Sequence, residues 1–310
     1  IFKDLPDLLT PTDILVFNDT RVLPAALKAL RPARDELGQN IEVDINLVSP
    51  LGAHRWRALA RPGRRLKISD TLMISDGFTA EVKAKHEGGY VDLEFDTGTR
   101  SFRETLERYG QMPLPPYIAR RRAADTQDKI DYQTRFAGTE AESVAAPTAG
   151  LHFTTDLLTQ LKAQSQPMET VRLHVGLGTF APLSDEQWAS GTLHEEWRDV
   201  SGPTANRLND FQNNGGRVIP VGTTSMRTLE SAWIDDRISA VKGPTDIFIR
   251  PGDPINATDG LVTNFHLPKS SLFMLVCALM GTDIMQAAYA HAIRERYRFY
   301  SYGDACLLLP

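Results

Sequence analysis

The pattern of apolar and polar positions divides the chain into two kinds of region. Four segments alternate apolar and polar residues with a period of two: 41–47, 54–60, 78–85 and 90–95. This alternation predicts strands with one buried face, separated here by glycine-containing turns. Because closing the sheet removes exposed strand edges, we predict a small all-β barrel over residues 26–112.

Outside this region, helical patterns alternate with short apolar runs. The predicted strands are 14–17, 170–175, 217–221 and 246–249, with a last strand near residue 305. The predicted helices are 155–164, 203–213, 269–280 and 282–297, with another beginning at residue 223. Such alternation is typical of an α/β layer that binds ligands at strand ends. We therefore predict an α/β fold class: a discontinuous major domain, 1–25 and 113–310, with a mixed, barrel-like sheet, interrupted by the 26–112 barrel.

Composition narrows the class of protein. A net charge of −5 argues against a general nucleic-acid coat, although a local basic patch for a specific RNA is compatible with it. The longest apolar run, residues 272–280, is too short to span a bilayer, so we expect no membrane association. Cys277 and Cys306 lie in apolar surroundings, where we expect reduced, buried thiols and hence a cytoplasmic protein.

Three of the seven histidines lie in peptides built mostly from small residues: His152 in AAPTAGLHFT, His174 in LHVGLGTF and His266 in NFHLPKSS. Small residues let the backbone approach a ligand, and imidazole exchanges protons near neutral pH. Together the three peptides indicate an active site. Taken singly, a histidine such as His174 is better interpreted as a hydrogen-bonded core residue, and the isolated GxG after His174 is weak evidence for a dinucleotide loop.

The peptide VGTTSMRTLES reads as a buried strand, a glycine turn and a helix start. Free N–H groups at Thr223, Thr224 and Ser225 are suited to a carboxylate or phosphate, with Arg227 as a bidentate partner. The alternative is an ordinary capped helix in which Arg227 pairs with Glu230, and the local pattern slightly favours it.

A second polar run follows the strand 14–17, where Asn18, Asp19, Thr20 and Arg21 stand together. Four hydrogen-bonding side chains at the carboxyl end of a strand suit ligand binding by position. An Asx-turn with surface charges is an equally good interpretation.

Two common kinds of active site are disfavoured by missing motifs. No HExxH, CxxC or His-x-His pattern occurs, so we expect no catalytic metal. A Ser-His-Asp hydrolase of the α/β type would need a GxSxG elbow, which this sequence lacks.

Together these peptides resemble the S-adenosylmethionine:tRNA ribosyltransferase-isomerase (QueA) family of queuosine biosynthesis. The matching stretches, in family order, are LVFNDTRVLPA, MPLPPYI, SVAAPTAGLHFT, LHVGLGTF, VGTTSMRTLES, LVTNFHLPKSSL and RYRFYSYGDA. The resemblance implies a major α/β domain interrupted by a small β-barrel. Since the family has a further segment ahead of the position where this chain opens with Ile1, we expect the natural N-terminus to lie upstream.

The resemblance also implies a reaction. The ribosyl part of S-adenosylmethionine is transferred to 7-aminomethyl-7-deazaguanine in a tRNA anticodon and isomerised, which gives epoxyqueuosine and releases adenine and methionine. S-adenosylmethionine is then a co-substrate, and we expect no permanently bound cofactor. The expected partner is the anticodon stem-loop of tRNA, and the expected state is a cytoplasmic monomer.

Within the implied family, the chemistry assigns roles to residues. A base must remove a proton beside the sulfonium and an acid must protonate departing adenine. We predict His174, His152 and His266 for these steps, with His174 as the base, and one of the three must stay neutral. The predicted substrate-binding residues are Asn18, Asp19, Arg21, Thr148, Phe153, Gly176, Gly178, Thr179, Phe180, Thr223, Thr224, Ser225, Arg227, Asn264 and Tyr302.

Some of these residues have a predicted ligand group. Asn18 and Asp19 are predicted to hold ribose hydroxyls or the methionine ammonium, and Arg227 the methionine carboxylate or an anticodon phosphate. The aromatic members are predicted to stack on a base or to cover the sulfonium.

Two rival functions stay open at this point. An S-adenosylmethionine-dependent RNA methyltransferase is disfavoured because no Gly-rich loop follows an early strand. A non-catalytic RNA-binding protein built around the barrel is disfavoured by the acidic net charge. The barrel either helps to grip tRNA or is a purely structural insertion.

Overall fold

The protein is described here by a computed structural model covering residues 1–139, 141–176 and 183–310. The chain divides into two compact units, 1–21 with 133–310 and 22–132. The second unit contains the predicted barrel insertion together with two flanking segments, 22–25 and 113–132, that the sequence analysis places in the major domain.

Across the described ranges, helices and strands have the following bounds. The strands are β1 (Asp13–Asn18), β2 (Arg21–Val22), β3 (Ala26–Arg31), β4 (Ile41–Pro50), β5 (Arg55–Arg61), β6 (Thr71–Ser75), β7 (Phe78–Lys85), β8 (Tyr90–Asp96), β9 (Ala141–Ser143), β10 (Met168–His174), β11 (Glu196–Val200), β12 (Arg217–Val221), β13 (Trp233–Ile234), β14 (Arg237–Ile238), β15 (Val241–Thr245), β16 (Leu261–Asn264) and β17 (Ala305–Leu308). The α-helices are α1 (Leu5–Leu8), α2 (Phe102–Tyr109), α3 (Pro116–Ala119), α4 (Asp128–Asp131), α5 (Thr155–Ala163), α6 (Asp185–Ser190), α7 (Gly202–Asn213), α8 (Thr223–Ser231), α9 (Ser271–Met280) and α10 (Thr282–Arg294).

The first unit is organised by a mixed sheet in the order β15-β11-β10-β1-β12-β16-β17. Its four central strands, β10, β1, β12 and β16, are parallel neighbours. The flanking strands pair antiparallel with their neighbours. All six residues of β1 are buried, as expected for a central strand with both faces covered.

Alternation along β1 separates two layers of core. Ile14 and Val16 face one layer, to which α7 and α8 contribute apolar side chains. Leu15 and Phe17 face the other, where they pack with a 3-10 turn, Thr148–His152, and α5. Helical elements therefore cover both faces of the sheet, so a ligand can reach the sheet at the ends of its strands.

The second unit contains a closed antiparallel barrel in the order β3-β4-β5-β8-β7-β6. Along β4, Val43, Ile45 and Leu47 are buried while the intervening side chains are more exposed, as the period-two pattern predicts. The pair between β3 and β6 closes the ring. The mixed α/β sheet and this separate barrel confirm the predicted fold class.

One predicted strand is wrong. Residues 246–249 are not a strand, and the strand of this region is β15, immediately before them. The apolar side chains of Ile247 and Ile249 pack into the cluster around α9 and α10 instead of pairing in the sheet. The apolar run 246–249 therefore indicates buried side chains, but these residues do not pair with a neighbouring strand.

The apolar cluster around α9 and α10 also contains the two cysteines. Cys277 and Cys306 are free thiols; Cys277 is buried as predicted, whereas Cys306 is only partly buried at its surface. Burial of the Cys306 thiol raises its pKa to about 12. Within the described ranges, no single helix has the length and apolarity to cross a membrane. The bent pair α9 and α10 meets that test jointly, by length and composition alone.

Candidate functional site

Four of the predicted site peptides meet at one edge of the sheet. Because β10, β1, β12 and β16 are parallel neighbours, their carboxyl ends lie side by side, at His174, Asn18, Val221 and Asn264. At the usual spacing of about 4.8 Å between strands, these four ends span about 14 Å. We call this edge, with the residues that follow each strand, the carboxyl edge.

Asn18 forms the Asx-turn that the sequence analysis held open. Its Oδ1 accepts hydrogen bonds from the N–H of Thr20 at 3.1 Å and of Leu173 at 3.2 Å, and its Nδ2 donates to the Leu173 carbonyl at 3.0 Å. The side chain is fully buried. These bonds tie the end of β1 to β10, which favours a positioning role.

Asp19 forms a two-point ion pair instead of standing as a surface charge. Arg172 donates from Nε to Oδ1 and from Nη2 to Oδ2, both at 2.8 Å. Both side chains are about one-fifth exposed. A paired carboxylate keeps further lone pairs, so the predicted contact with substrate hydroxyls stays a prediction.

His174 is held from two sides at the end of β10. Its Nδ1 lies 3.2 Å from the Thr20 hydroxyl oxygen. Its ring stacks on Trp197 of the neighbouring strand β11, with centroids 4.9 Å apart and planes 22° apart. The imidazole is half-buried, so it has a defined orientation without being sealed in the core.

His152 ends the 3-10 turn and links it to the peptide before β17. Its Nε2 lies 3.0 Å from the Gly303 carbonyl oxygen, and its Nδ1 lies 3.3 Å from that of Ala149. A neutral imidazole donates through one nitrogen only, so the neutral ring donates to one of these two carbonyls. Gly303 is required here, since a Cβ would lie 2.5 Å from the Arg298 carbonyl oxygen.

His266 is the buried member of the three, with 9% of its surface exposed. Its Nε2 lies 2.9 Å from the Thr263 hydroxyl oxygen, and its backbone N–H donates to the Tyr289 hydroxyl at 2.8 Å. Burial lowers the pKa of this imidazole to about 4. His266 is therefore neutral at pH 7, the state that the chemistry requires of one histidine.

Arg227, on the second turn of α8, has a different partner from the one suggested by local spacing. Its Nη1 donates to the carboxylate of Glu196 at the start of β11, and the same carboxylate accepts from the Gly176 N–H at 3.1 Å. Glu230 instead accepts bonds of 2.6 to 3.2 Å from residues 256–258. The Arg227–Glu230 alternative is therefore wrong.

Several buried donors at the carboxyl edge have no hydrogen-bond partner among the described residues: Thr224 Oγ1, Arg227 Nε and Nη2, and Asn264 Nδ2. Their side chains belong to residues 4–6% exposed. Asn264 is oriented by its Oδ1, which accepts from the Thr148 hydroxyl at 3.1 Å. Because an unpaired buried donor costs about 1–3 kcal/mol, such a group is expected where a ligand completes the bonding.

Other features lie away from this edge. A polar cavity of about 650 Å³ is lined by the carboxyl half of α7 and by residues of the β13–β14 hairpin, at the opposite end of the sheet. In the part of the chain that the structure describes, no three His, Cys, Asp or Glu side chains are grouped so as to hold a metal ion.

Comparison with known proteins decides the family. A protein-family model described as a queuosine biosynthesis protein matches residues 1–308. The chain is 60% identical over 309 residues to the S-adenosylmethionine:tRNA ribosyltransferase-isomerase of Hyphomonas neptunium, covering 99% of this chain and 88% of the relative. The chain belongs to the S-adenosylmethionine:tRNA ribosyltransferase-isomerase family.

Two further members of this ribosyltransferase-isomerase family support the assignment. The enzyme of that name from Maricaulis maris is 52% identical over 308 residues, covering 99% of this chain and 87% of the relative. A crystal structure of S-adenosylmethionine tRNA ribosyltransferase from Thermotoga maritima is similar with a TM-score of 0.51 and 31% identity, covering 100% of this chain and 87% of that chain. The predicted family is thus confirmed, and with it the class of enzyme.

Some predicted ribosyltransferase site residues have other roles in the structure. Phe153 is fully buried, with its ring packed edge-on against Phe2 and Phe17, so packing replaces the predicted stacking on a base. Ser225 is also fully buried and donates to the Val221 carbonyl at 3.0 Å. Phe153 directly follows the 3-10 turn and packs with Leu15 and Phe17, and Ser225 lies in the buried first turn of α8.

The remaining predicted residues are distributed around the edge. Thr223 is buried at the first position of α8, Arg21 has a buried Nε without a partner among the described residues, and Tyr302 is half-buried before β17. Gly178, Thr179 and Phe180 lie outside the described residues.

Sequence reasoning missed three contributors to the site. Glu196 and Trp197 lie in the charged peptide HEEWRD, whose composition is typical of an exposed segment. Ser143 accepts a hydrogen bond on its Oγ from the Val175 N–H at 3.0 Å and donates to the Ala145 carbonyl at 2.7 Å. No local signal distinguishes these residues, because each acts through a partner distant in sequence.

Proposed function

We propose that the protein transfers the ribosyl moiety of S-adenosylmethionine to the aminomethyl group of 7-aminomethyl-7-deazaguanine in tRNA and isomerises it, giving epoxyqueuosine with release of adenine and methionine. Family membership supports this reaction. The observation that carries it is the convergence of the histidine and Gly-Thr-Thr peptides on one sheet edge that has unpaired buried donors. The anticodon stem-loop as the bound part of tRNA, a monomeric state and a cytoplasmic location complete the proposal.

The reaction removes a proton from carbon, gives a proton to departing adenine and removes a proton from the attacking amine. A C–H bond beside the sulfonium gives its proton to a base, and the positive sulfur makes that proton acidic. The bond from ribose to adenine breaks, and adenine leaves with a proton from an acid. The carbon–sulfur bond breaks with its electron pair on methionine. The amine nitrogen of the deazaguanine forms the new bond to carbon and loses an N–H proton, which balances the positive charge lost from sulfur.

His174 is the proposed base. The Thr20 hydroxyl and the Trp197 ring orient it, and its half-burial leaves it accessible. His266, neutral at pH 7, suits a hydrogen-bonding role toward an uncharged group. His152 suits the acid by its chemistry, although its contacts with two carbonyl oxygens also support a positioning role.

The decisive experiment is incubation with S-adenosylmethionine and a tRNA that carries the deazaguanine precursor. We expect one free adenine and one methionine for each modified nucleoside, measured by nucleoside mass spectrometry. A tRNA without the precursor is the control and should give no product. Formation of S-adenosylhomocysteine would favour the methyltransferase instead, and RNA binding without consumption of S-adenosylmethionine would favour a non-catalytic protein.

A role for the barrel in binding tRNA rests on one surface feature. Four basic side chains near the end of β5 and the following turn are exposed: Arg61, Arg64, Arg65 and Lys67. Exposed clustered cations bind phosphates and release the counterions condensed on the nucleic acid, which favours binding at low salt, so this cluster suits an RNA backbone. A purely structural insertion is the alternative.

A further inference from the structure

Arg227 combines deep burial with an open hydrogen-bonding edge. Its side chain belongs to a residue 4% exposed, and its Nη1 is used by Glu196. Nε and Nη2, on the side edge of the guanidinium, have no partner among the described residues. The protein therefore buries a guanidinium in which three of the five N–H donors, those on Nε and Nη2, have no partner among the described residues.

Other arginines of this chain show what the Nε and Nη2 donors of a guanidinium bind. Arg172, Arg217 and Arg34 each use Nε and Nη2 together to hold both oxygens of an aspartate. The donor–acceptor distances in these pairs run from 2.6 to 3.0 Å. The geometry that Arg227 leaves open is thus the planar fork that matches a carboxylate.

Glu196 determines where this fork points. Its carboxylate is 7% exposed and is fixed by the Gly176 N–H, so it anchors Nη1 and limits rotation of the guanidinium. It also compensates the buried positive charge when no ligand is bound. Glu196 contacts Arg227 and the Gly176 N–H, so its role is that of a positioning residue.

We propose that Arg227 binds the α-carboxylate of the methionine part of S-adenosylmethionine through Nε and Nη2, with Glu196 holding Arg227 in place. This assignment rests on the proposed function. Thr224, one helical turn before Arg227 on the same face of α8, has an open Oγ1 and supplies a further donor.

Burial favours a small-molecule carboxylate over a phosphate of tRNA. Arg227, Thr224 and Asn264 are 4–6% exposed, so their donors are reached from within the site. The carboxylate lies at one end of S-adenosylmethionine and can enter such a recess, whereas an RNA phosphate is flanked by polymer on both sides. The ammonium and sulfonium of the same ligand offset the added negative charge.

The test compares S-adenosylmethionine with decarboxylated S-adenosylmethionine, which lacks only this carboxylate, by titration calorimetry. We expect the wild-type protein to prefer S-adenosylmethionine by about 10- to 100-fold, the range for a hydrogen-bonded charge pair. Arg227→Lys should remove most of that preference, because an ammonium lacks the planar fork. Glu196→Gln should reduce it partly, and binding of the decarboxylated ligand should change little.

Arg217→Gln is the matched control, since it removes an arginine from a buried carboxylate at the opposite edge of the same sheet. It should destabilise the protein and keep the preference, which separates ligand recognition from a loss of stability. The wild-type comparison needs no variant, so misfolding of Arg227→Lys leaves the proposal testable.

Equal affinity of the wild-type protein for the two ligands would overturn the carboxylate assignment and leave the proposed reaction standing. An Arg227→Lys variant that keeps the preference but loses tRNA affinity would assign the fork to a phosphate instead, which also overturns it. Failure of the wild-type protein to release adenine from S-adenosylmethionine and precursor tRNA is a separate result, and it would reject the proposed function itself.

Discussion

The carboxyl edge of the central sheet and the opposite edge, at the amino ends of the parallel strands, each contain an arginine paired with a buried carboxylate, but the two pairs differ in how many donors are used. At the amino edge, the fully buried Asp13 accepts two hydrogen bonds from Arg217, at 2.7 and 3.0 Å. At the carboxyl edge, Arg227 is bound by Glu196 through one nitrogen and has its Nε and Nη2 open to a ligand. The Asp13–Arg217 pair is complete within the chain, whereas we propose that a ligand completes the hydrogen bonding of Arg227.

The pKa of Asp13 shows the effect of its hydrogen bonds with Arg217 and Thr10. Burial alone would raise it, but hydrogen bonds from Arg217 and Thr10 outweigh burial and hold the pKa of this carboxyl below its usual value. The amino edge therefore stabilises the fold. The open donors of the carboxyl edge cost stability, as is common where strand ends bind substrate.

The largest expected effect is at the carboxyl edge. His174→Ala should slow single-turnover ribosyl transfer by about 10²- to 10⁴-fold, the usual contribution of a general base. Rapid-quench assays of adenine release measure this rate. The exposed His194 provides a matched control, and His194→Ala should keep the wild-type rate. A folded His174→Ala protein with full activity would exclude His174 as the base.

At the amino edge, the matching substitution should affect stability and not chemistry. Arg217→Gln leaves the Asp13 carboxylate buried without its main partner, and we expect a loss of about 3 kcal/mol in the free energy of unfolding. Urea denaturation measures it. A loss below about 1 kcal/mol would mean that the bonds from Thr10 suffice, and the contrast between the edges would weaken.

The histidine peptides show how far sequence reasoning reaches. Small residues around His152, His174 and His266 indicated a site, and strand order brings the His174 and His266 peptides to one edge, where β1 and β12 lie between their strands. The partners of each imidazole were not predictable, because Trp197 reaches His174 only through pairing of β10 with β11. Likewise, Glu196 is 31 residues before Arg227, outside any local window.

The barrel was more predictable than the sheet for a physical reason. Each barrel strand has one solvent-exposed face, so the alternating segment 78–85 has the same bounds as β7. Similarly, α2 begins at a capping box formed by Ser101 and Glu104. Strand β11, with the sequence EWRDV, has no alternation, and its pairing depends on tertiary contacts. Strands β1 and β12, which are buried on both faces, were predicted from their apolar runs instead, whereas β11 has neither an alternating pattern nor an apolar run.

The next effect concerns acid stability. The folded pKa of His266 is about 4, below its usual 6.5, so on acidification the unfolded chain takes up this proton first. Stability from the neutral imidazole is complete above pH 6.5 and is lost as pH falls toward 4, by up to about 3 kcal/mol. The difference in unfolding free energy between wild type and His266→Gln should therefore shrink over this interval. A difference independent of pH would contradict a buried neutral His266.

The smallest effect is expected on the barrel surface. The double substitution Arg64→Ala with Arg65→Ala should weaken tRNA binding by about tenfold. The slope of the logarithm of the binding constant against the logarithm of salt concentration should become shallower by about 0.9 for each lost phosphate contact. Lys28→Ala with Arg100→Ala, also exposed in this unit, is the control. Filter binding at several salt concentrations measures both. Unchanged affinity and slope would favour the structural insertion.

The central claim is that S-adenosylmethionine binds at the carboxyl edge of the sheet. Hydrogen–deuterium exchange with and without saturating S-adenosylmethionine tests it most directly. We predict slower exchange in peptides covering residues 18–21, 148–152, 222–228 and 264–266, with the barrel strands unchanged. Slower exchange confined to residues 26–96, with the four edge peptides unaffected, would contradict the claim.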